Sequence, residues 1–327
     1  MSVSTSGLRW LVFSIVVEVP WSHHEWALPF LSVLLATPKV SEREGLRHRT
    51  VAQRTAQVVY WLRRVLPGRK IELAGDGAYS VIELGHRAQS QGITLIAPIR
   101  LDSRRFDFPP SRLKPDGTKR LGRRPVVGQR LPNLEDVAIC KTTRWQRGRV
   151  EWYDGETEVI DWVSGVSLWY STGTPPLLIR WVLVRDPSGQ RQTVAFFSTD
   201  IHQDPRSIIA TFVKRWATEV TFEIGRAHLG IETQRQWSDK AIERTTPALF
   251  ALFSIVVLMV HPLYGDRTLP LPQAAWYPKS HATFHDLIAI LRCHLWHHLL
   301  FQTPANSPDL WIFKPPRIHQ LLSSAAY

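Results

Sequence analysis

Between Leu8 and Arg100 the chain alternates strand-like and helix-like apolar patterns, and no other feature of the 327 residues restricts the fold as much. Leu8–Val19 (LRWLVFSIVVEV) is β-branched and aromatic and reads as a core strand. Glu44–Leu66 has helical spacing with many Arg and stops at Pro67-Gly68. Lys70–Ala74 reads as a short strand ending at Gly75-Asp76-Gly77, Val81–Gln91 as a helix, and Thr94–Arg100 as another buried strand. Strand, helix, strand, helix, strand predicts an α/β fold.

The character changes at Leu101. Residues 101–133 are rich in Pro, Gly and basic side chains and read as a long loop. Residues 137–200 then read as antiparallel strands. Val150–Tyr153 and Thr157–Val163 flank Asp154-Gly155-Glu156, and Leu177–Arg185 and Arg191–Ser198 flank Asp186-Pro187-Ser188-Gly189-Gln190. Both are hairpin signatures. Pro205–Leu229 predicts a helix with Asp204 as its N-cap. Pro247–Val260 predicts a buried helix and Phe284–Leu300 a last one. The expected architecture is an α/β core over 1–100, a basic loop and β-rich insertion over 101–204, a second part of the core over 205–262, and a helical tail over 263–327.

Net charge of +12 points to a polyanionic partner, nucleic acid more than membrane. Hydrophobic residues make up 44%, with 14 Trp, enough for a real core. Cys140 and Cys293 lie far apart in no metal-ligand pattern, which fits a reducing cytoplasm. No signal peptide is visible. The longest apolar run, Ala248–Val260, has 13 residues and is too short to span a bilayer.

Residues 212–226 read FVKRWATEVTFEIGR. Steps of four and seven return to one face of a helix, so Arg215, Glu219 and Arg226 form one stripe, a carboxylate between two guanidiniums. Such a stripe is an ordinary set of helix salt bridges, or it holds a divalent metal with phosphates beside it. Glu219 and Glu223 are also four apart, a like-charge pair that needs a cation nearby. Asp76 is the second carboxylate of interest. An Asp at the C-terminal end of a strand faces the crevice where α/β sheets bind ligands. The bland alternative is a turn Asp between two glycines. A dinucleotide fingerprint at Gly75-x-Gly77 lacks its third Gly and its acidic partner.

With Asp76 at a strand end and that spacing around Glu219, the chain resembles bacterial insertion-sequence transposases of the DDE type, in the group with a Tyr-Arg-Glu-Lys signature. SGLRW, EWALPFL, RWVLVRDP, FSTD, HLGIETQRQWSDKAIERTTPALFALFS and AAWYPK carry the resemblance over nearly the whole chain. It implies an RNase H-like core interrupted by a β-rich insertion. It also implies two Asp and one Glu holding two divalent metals, Mg²⁺ with Mn²⁺ as a substitute, for in-line phosphoryl transfer. Asp76 matches the second Asp and Glu219 the Glu, both as catalytic metal ligands. Arg215 matches the signature Arg, Arg226 stands where the signature has Lys, and Phe212 where it has Tyr. The implied partners are double-stranded DNA, at transposon ends and target, and a second copy of the chain as a dimer. A nucleoid-associated place in the bacterial cytoplasm goes with this.

The front of the chain departs from the pattern. The family's first catalytic Asp lies on the first core strand, before the SGLRW stretch, yet residues 1–75 contain no Asp at all. The expectation is that the first strand and an N-terminal DNA-binding segment are missing. An uncovered sheet edge should result, together with weak metal binding and poor catalysis.

Arg112–Arg130 holds seven basic residues and one Asp. Within it Lys119, Arg120, Arg123 and Arg124 are candidate phosphate contacts, which would position DNA without reading sequence. Trp145, Trp152, Trp162 and Trp169 read as sheet packing more than as base-stacking platforms. Cys293, His294, His297 and His298 lack a second cluster at zinc spacing. Three functions stay open: an impaired DDE transposase, a non-catalytic DNA-binding remnant, and an unrelated metal nuclease using Asp76, Glu219 and Glu223.

Overall fold

A computed structural model describes residues 8–264 except 113–117, 120–121, 154–155, 234 and 237, and also residues 269, 271, 279 and 281–301, the last five by backbone alone. In chain order the elements are β1 (Arg9–Val17), β2 (Trp26–Leu35), α1 (Pro38–Arg43), α2 (Val51–Val65), β3 (Ile71–Ala74), α3 (Ile82–Ser90), β4 (Ile93–Pro98) and β5 (Arg105–Phe106). There follow α4 (Leu134–Ile139), β6 (Gln146–Glu151), β7 (Thr157–Trp169), β8 (Leu177–Arg185), β9 (Val194–Ser198), α5 (Pro205–Lys214), α6 (Trp216–Leu229), α7 (Asp239–Tyr264) and α8 (Phe284–Phe301). The chain divides into two compact units, one of Leu35–Trp216 and one of Met1–Leu34 with Ala217–Tyr327.

The unit Leu35–Trp216 is built on a mixed seven-stranded sheet in the order β3-β4-β9-β8-β7-β5, with β6 also paired to β7. Only β3 and β4 are parallel among the recorded pairings of this sheet. A parallel pair needs a crossover, and α3 supplies it. Helix α3 buries Ile82, Leu84, Gly85 and Ala88. A Cβ on Gly85 would lie 2.3 Å from Leu177 Cδ2, so the missing side chain lets α3 approach β8 closely. On the opposite face α5 packs Ile208, Ile209 and Val213 against Ile96, Trp162, Val182 and Phe196. The β-rich segment is thus no separate body: β9 pairs directly with β4 and extends the same sheet. Strand β3 ends the sheet, and among the described residues no strand pairs with its outer side.

Outside this sheet, α2 is fixed to the start of β4 by one side chain. Thr50 and Gln53 close a capping box at its N-terminus. At its other end Arg63 donates to the carbonyls of Gln91 (2.6 Å), Gly92 (2.7 Å), Arg69 (2.9 Å) and Leu66 (3.3 Å).

Two charged groups are buried in the sheet. Asp161 on β7 is 2% exposed and is bonded by Arg147 (2.6 Å) and Arg185 (3.1 Å). Arg105 on β5 is 1% exposed, donates to Pro132 O at 2.7 Å and lies 4.5 Å from the Trp181 ring. Burial pushes the Arg105 guanidinium down to about 10. The fold carries that desolvation cost because a carbonyl and an indole face take the place of a carboxylate.

In the other unit β1 and β2 form a two-stranded sheet of their own. Leu8–Val19 was expected to join the strands that follow it; instead it pairs with β2, a strand its sequence hides behind Pro29. Trp21, Trp26 and Leu28 pack with Phe253, Val257 and Val260 of α7 and Phe284 and Leu287 of α8. Phe253 and Phe284 stack at 4.4 Å. Helix α7 runs for 26 residues through Pro247 and Pro262, so Pro247 is not its start. Against the expectation from the 13-residue apolar run, α7 is long and apolar enough to cross a bilayer; 39% of its most apolar stretch is buried inside the protein, and Leu252, Ile255, Leu258 and Met259 are exposed.

Candidate functional site

Asp76 stands where a ligand-facing carboxylate of an α/β sheet is expected. Gly75 N continues the ladder past β3 with a bond to Ile96 O (3.0 Å), and the chain then turns into a 3-10 segment, Gly77–Tyr79. Asp76 caps that segment: its backbone is extended and Oδ1 accepts from Ala78 N at 2.8 Å. The carboxylate is exposed and fixed in direction by its own turn. A Cβ on Gly75 would come within 2.6 Å of the Tyr79 ring, so this glycine lets the turn fold back tightly.

Two other carboxylates of this unit are engaged elsewhere. Glu72 on β3 accepts from Thr211 Oγ1 (3.2 Å) and pairs with Lys70 (2.8 Å). Asp200, the last residue of the FSTD stretch, accepts from His202 N at 2.9 Å. Thr199 pairs with Leu95, whereas Gly75 bonds Ile96 and Asp76 continues beyond it, so Asp200 and Asp76 lie towards opposite ends of β4.

Glu219 sits half-buried in the first turn of α6, in the other unit, where a negative charge is favourably placed. The expected single helix Pro205–Leu229 is interrupted: α5 ends at Lys214, Arg215 forms the turn, and α6 starts at Trp216. Asp204 does cap α5, accepting from Arg206 N and Ser207 N. The Arg215 guanidinium lies 5.2 Å from the Phe212 ring. Arg226 is exposed and bonds both carboxylate oxygens of Glu232 at 3.3 Å. Two residues past Glu219, buried Thr221 donates to Ala27 O of β2 at 2.8 Å, and Ser254 of α7 donates to Pro29 O at 2.7 Å. These bonds orient the Glu219 helix within its unit. Thr221→Val should lower stability by about 1–3 kcal/mol, because Ala27 O is left without its donor; a chemical denaturation series checks this.

Of the basic candidates, Lys119, Arg123 and Arg124 are exposed, and Arg120 lies outside the described residues. The loop is tied at its base, where Asp107 N bonds Gln129 O, Gly128 N bonds Asp107 O and Leu131 N bonds Arg105 O. Trp162 is 3% exposed and part of the sheet core, and Trp169 packs on Phe197. Trp145 and Trp152 lie under Arg185 and Arg191. His297 and His298 have no described side chains. Among the described residues no three His, Cys, Asp or Glu converge on a point that could hold a metal.

No family model matches the chain, and comparison with curated proteins gives no match either. Among solved structures, the chain is similar to a piggyBac transposase in a synaptic complex with hairpin DNA, at 8% identity and a TM-score of 0.41. That likeness covers 97% of this chain and 56% of the other, so this chain spans little more than half of that one's length. At that score the likeness carries no argument about fold or chemistry.

Proposed function

We propose that the chain is part of a DDE-type DNA transposase, with an RNase H-like core in which Asp76 and Glu219 are metal-ligating carboxylates. The observation that carries the reading is the placement of Asp76: an exposed carboxylate, fixed by its own turn, at the C-terminal end of an edge strand. The open outer side of β3 fits a sheet that accepts a further strand there. Bound divalent ions would activate water or a 3′-OH and stabilise the leaving oxygen. The chain's own part is to present hard oxygen donors, which suit Mg²⁺, and to hold phosphates with Arg215 and the Lys119–Arg124 loop.

The fit to a metal pair is incomplete. Two carboxylates of the implied trio are present, and among the described residues no three His, Cys, Asp or Glu come together to hold a metal. We therefore propose slow cleavage and little strand transfer by these 327 residues alone. The test is nicking of duplex DNA in Mg²⁺ by the purified chain. Slow nicking abolished by chelator is expected; robust end cleavage would overturn the impaired-site reading. DNA binding with no nicking at all would favour a second reading, a DNA-binding remnant, which the +12 charge supports.

A further inference from the structure

Within Leu35–Trp216, far in sequence from the basic loop, the stretch before α2 together with α2 and α3 forms an open groove of 490 Å³. Arg47 and Arg49, just before α2, and Arg87 of α3 line it, with Gln53, Gln57 and Tyr60 along one face of α2. No Asp or Glu lines it.

Three features of this groove suit an anionic partner. Arg100, Arg147, Arg185 and Arg191 are held in ion pairs. Arg47, Arg49 and Arg87 are exposed, and among the described residues none of their guanidiniums has an ion pair or a hydrogen bond. Tyr60, in the middle of the α2 face, is 56% exposed. Finally, Arg63 ties the end of α2 to the backbone that follows α3, holding the two helices that line the groove together.

We propose that this groove binds the phosphodiester backbone of duplex DNA, as a second contact surface separate from Asp76 and from the Lys119–Arg124 loop. The cations are spread over a loop and two helices instead of converging on one point, which suits a row of phosphates better than a single phosphate. Three guanidiniums neutralise successive phosphates, while the Tyr60 hydroxyl and the Gln53 and Gln57 amides donate to phosphate oxygens. Such contacts fix the position of DNA and carry no sequence preference. The proposal rests on DNA as the partner, and does not depend on the two carboxylates being catalytic.

The test measures affinity of the whole chain for a fluorescent duplex of arbitrary sequence across a salt series. Arg47→Ala/Arg49→Ala/Arg87→Ala is compared with Lys141→Ala/Arg144→Ala/Arg149→Ala, which removes the same charge from exposed positions elsewhere in the unit. The groove variant should lower affinity about tenfold or more at moderate salt and flatten the log–log salt slope by roughly 2–3, near 0.9 per lost phosphate contact. The control variant should change the slope by less than about 1. Equal losses in both would overturn the proposal in favour of bulk charge, and so would an unchanged groove variant. Thermal melts of both variants show whether either fails to fold; if the triple variant does, Arg87→Ala alone should flatten the slope by about 1, and no change there would overturn the proposal. Wild-type binding without cleavage would defeat the catalytic reading and leave this one standing. Absence of wild-type binding would defeat this one.

Discussion

Asp76→Asn should reduce metal-dependent nicking at least about 100-fold, to the level given by Mg²⁺ alone, while the protein melts within about 0.5 kcal/mol of wild type. The separation of the two effects follows from the geometry. Asn keeps the side-chain oxygen that accepts from Ala78 N, so the turn after β3 survives. It loses the negative charge, and a neutral amide oxygen is a far weaker ligand for a hard divalent ion. Glu219→Gln should lose as much, since the proposed chemistry needs both carboxylates. The double variant should lose no more than either single one, the pattern of residues that act as a unit. Losses that multiply would mean that the two act independently. Loss of metal binding in Glu223→Gln, at normal stability, would favour the unrelated metal nuclease that uses Asp76, Glu219 and Glu223.

The largest effect on stability is expected at Asp161. Its carboxylate is 2% exposed and receives bonds from two arginines whose own side chains are 62% and 39% exposed. Asp161→Asn removes the charge from the centre of that group and should cost about 2–3 kcal/mol, below the full range for a buried pair because both arginines can turn to water. In a unit of this size that corresponds to a fall in Tm of roughly 4–12 °C. The pH dependence has a definite sign. The Arg147 hydrogen bond holds the Asp161 carboxyl below its ordinary range, with Arg185 adding to it and burial opposing. The native state therefore binds fewer protons than the unfolded chain near the ordinary carboxylate value of about 3.9. The advantage of wild type over Asp161→Asn is full above that value and disappears as pH falls through the depressed native one. Urea titrations of both proteins at pH 7 and in acid measure it; a constant difference would show that the pair contributes no charge interaction.

The parts of the fold legible in the sequence were those with local punctuation. Strand β8 matches its expected span, Leu177–Arg185, because Asp186-Pro187-Ser188-Gly189 allows nothing but a turn after it. Asp204-Pro205 gave the start of α5, and Asp76 was placed at its strand end, because caps and glycines act over a few residues. What depended on distant partners was hidden. Strand β2 contains Pro29, which within a strand argues against one, yet its carbonyl is used by Ser254 of α7. Leu8–Val19 reads the same whether it joins β3 and β4 or pairs with β2. The interruption at Arg215 has no Gly or Pro to announce it, and it falls beside the boundary between the two units. The groove was invisible for a simpler reason: Arg47 and Arg49 meet Arg87 only after α2 and α3 have packed. Helical spacing rich in Arg marked the segment, but could not show which cations are left unpaired.

The most direct test of the account is Mn²⁺ titration of the intact chain, followed by calorimetry or by the loss of the free-ion resonance signal, in wild type, Asp76→Asn and Glu219→Gln. The account predicts weak, saturable binding by wild type that both substitutions abolish, at unchanged melting temperature. Absence of saturable binding by wild type, or binding that both variants retain, would contradict it.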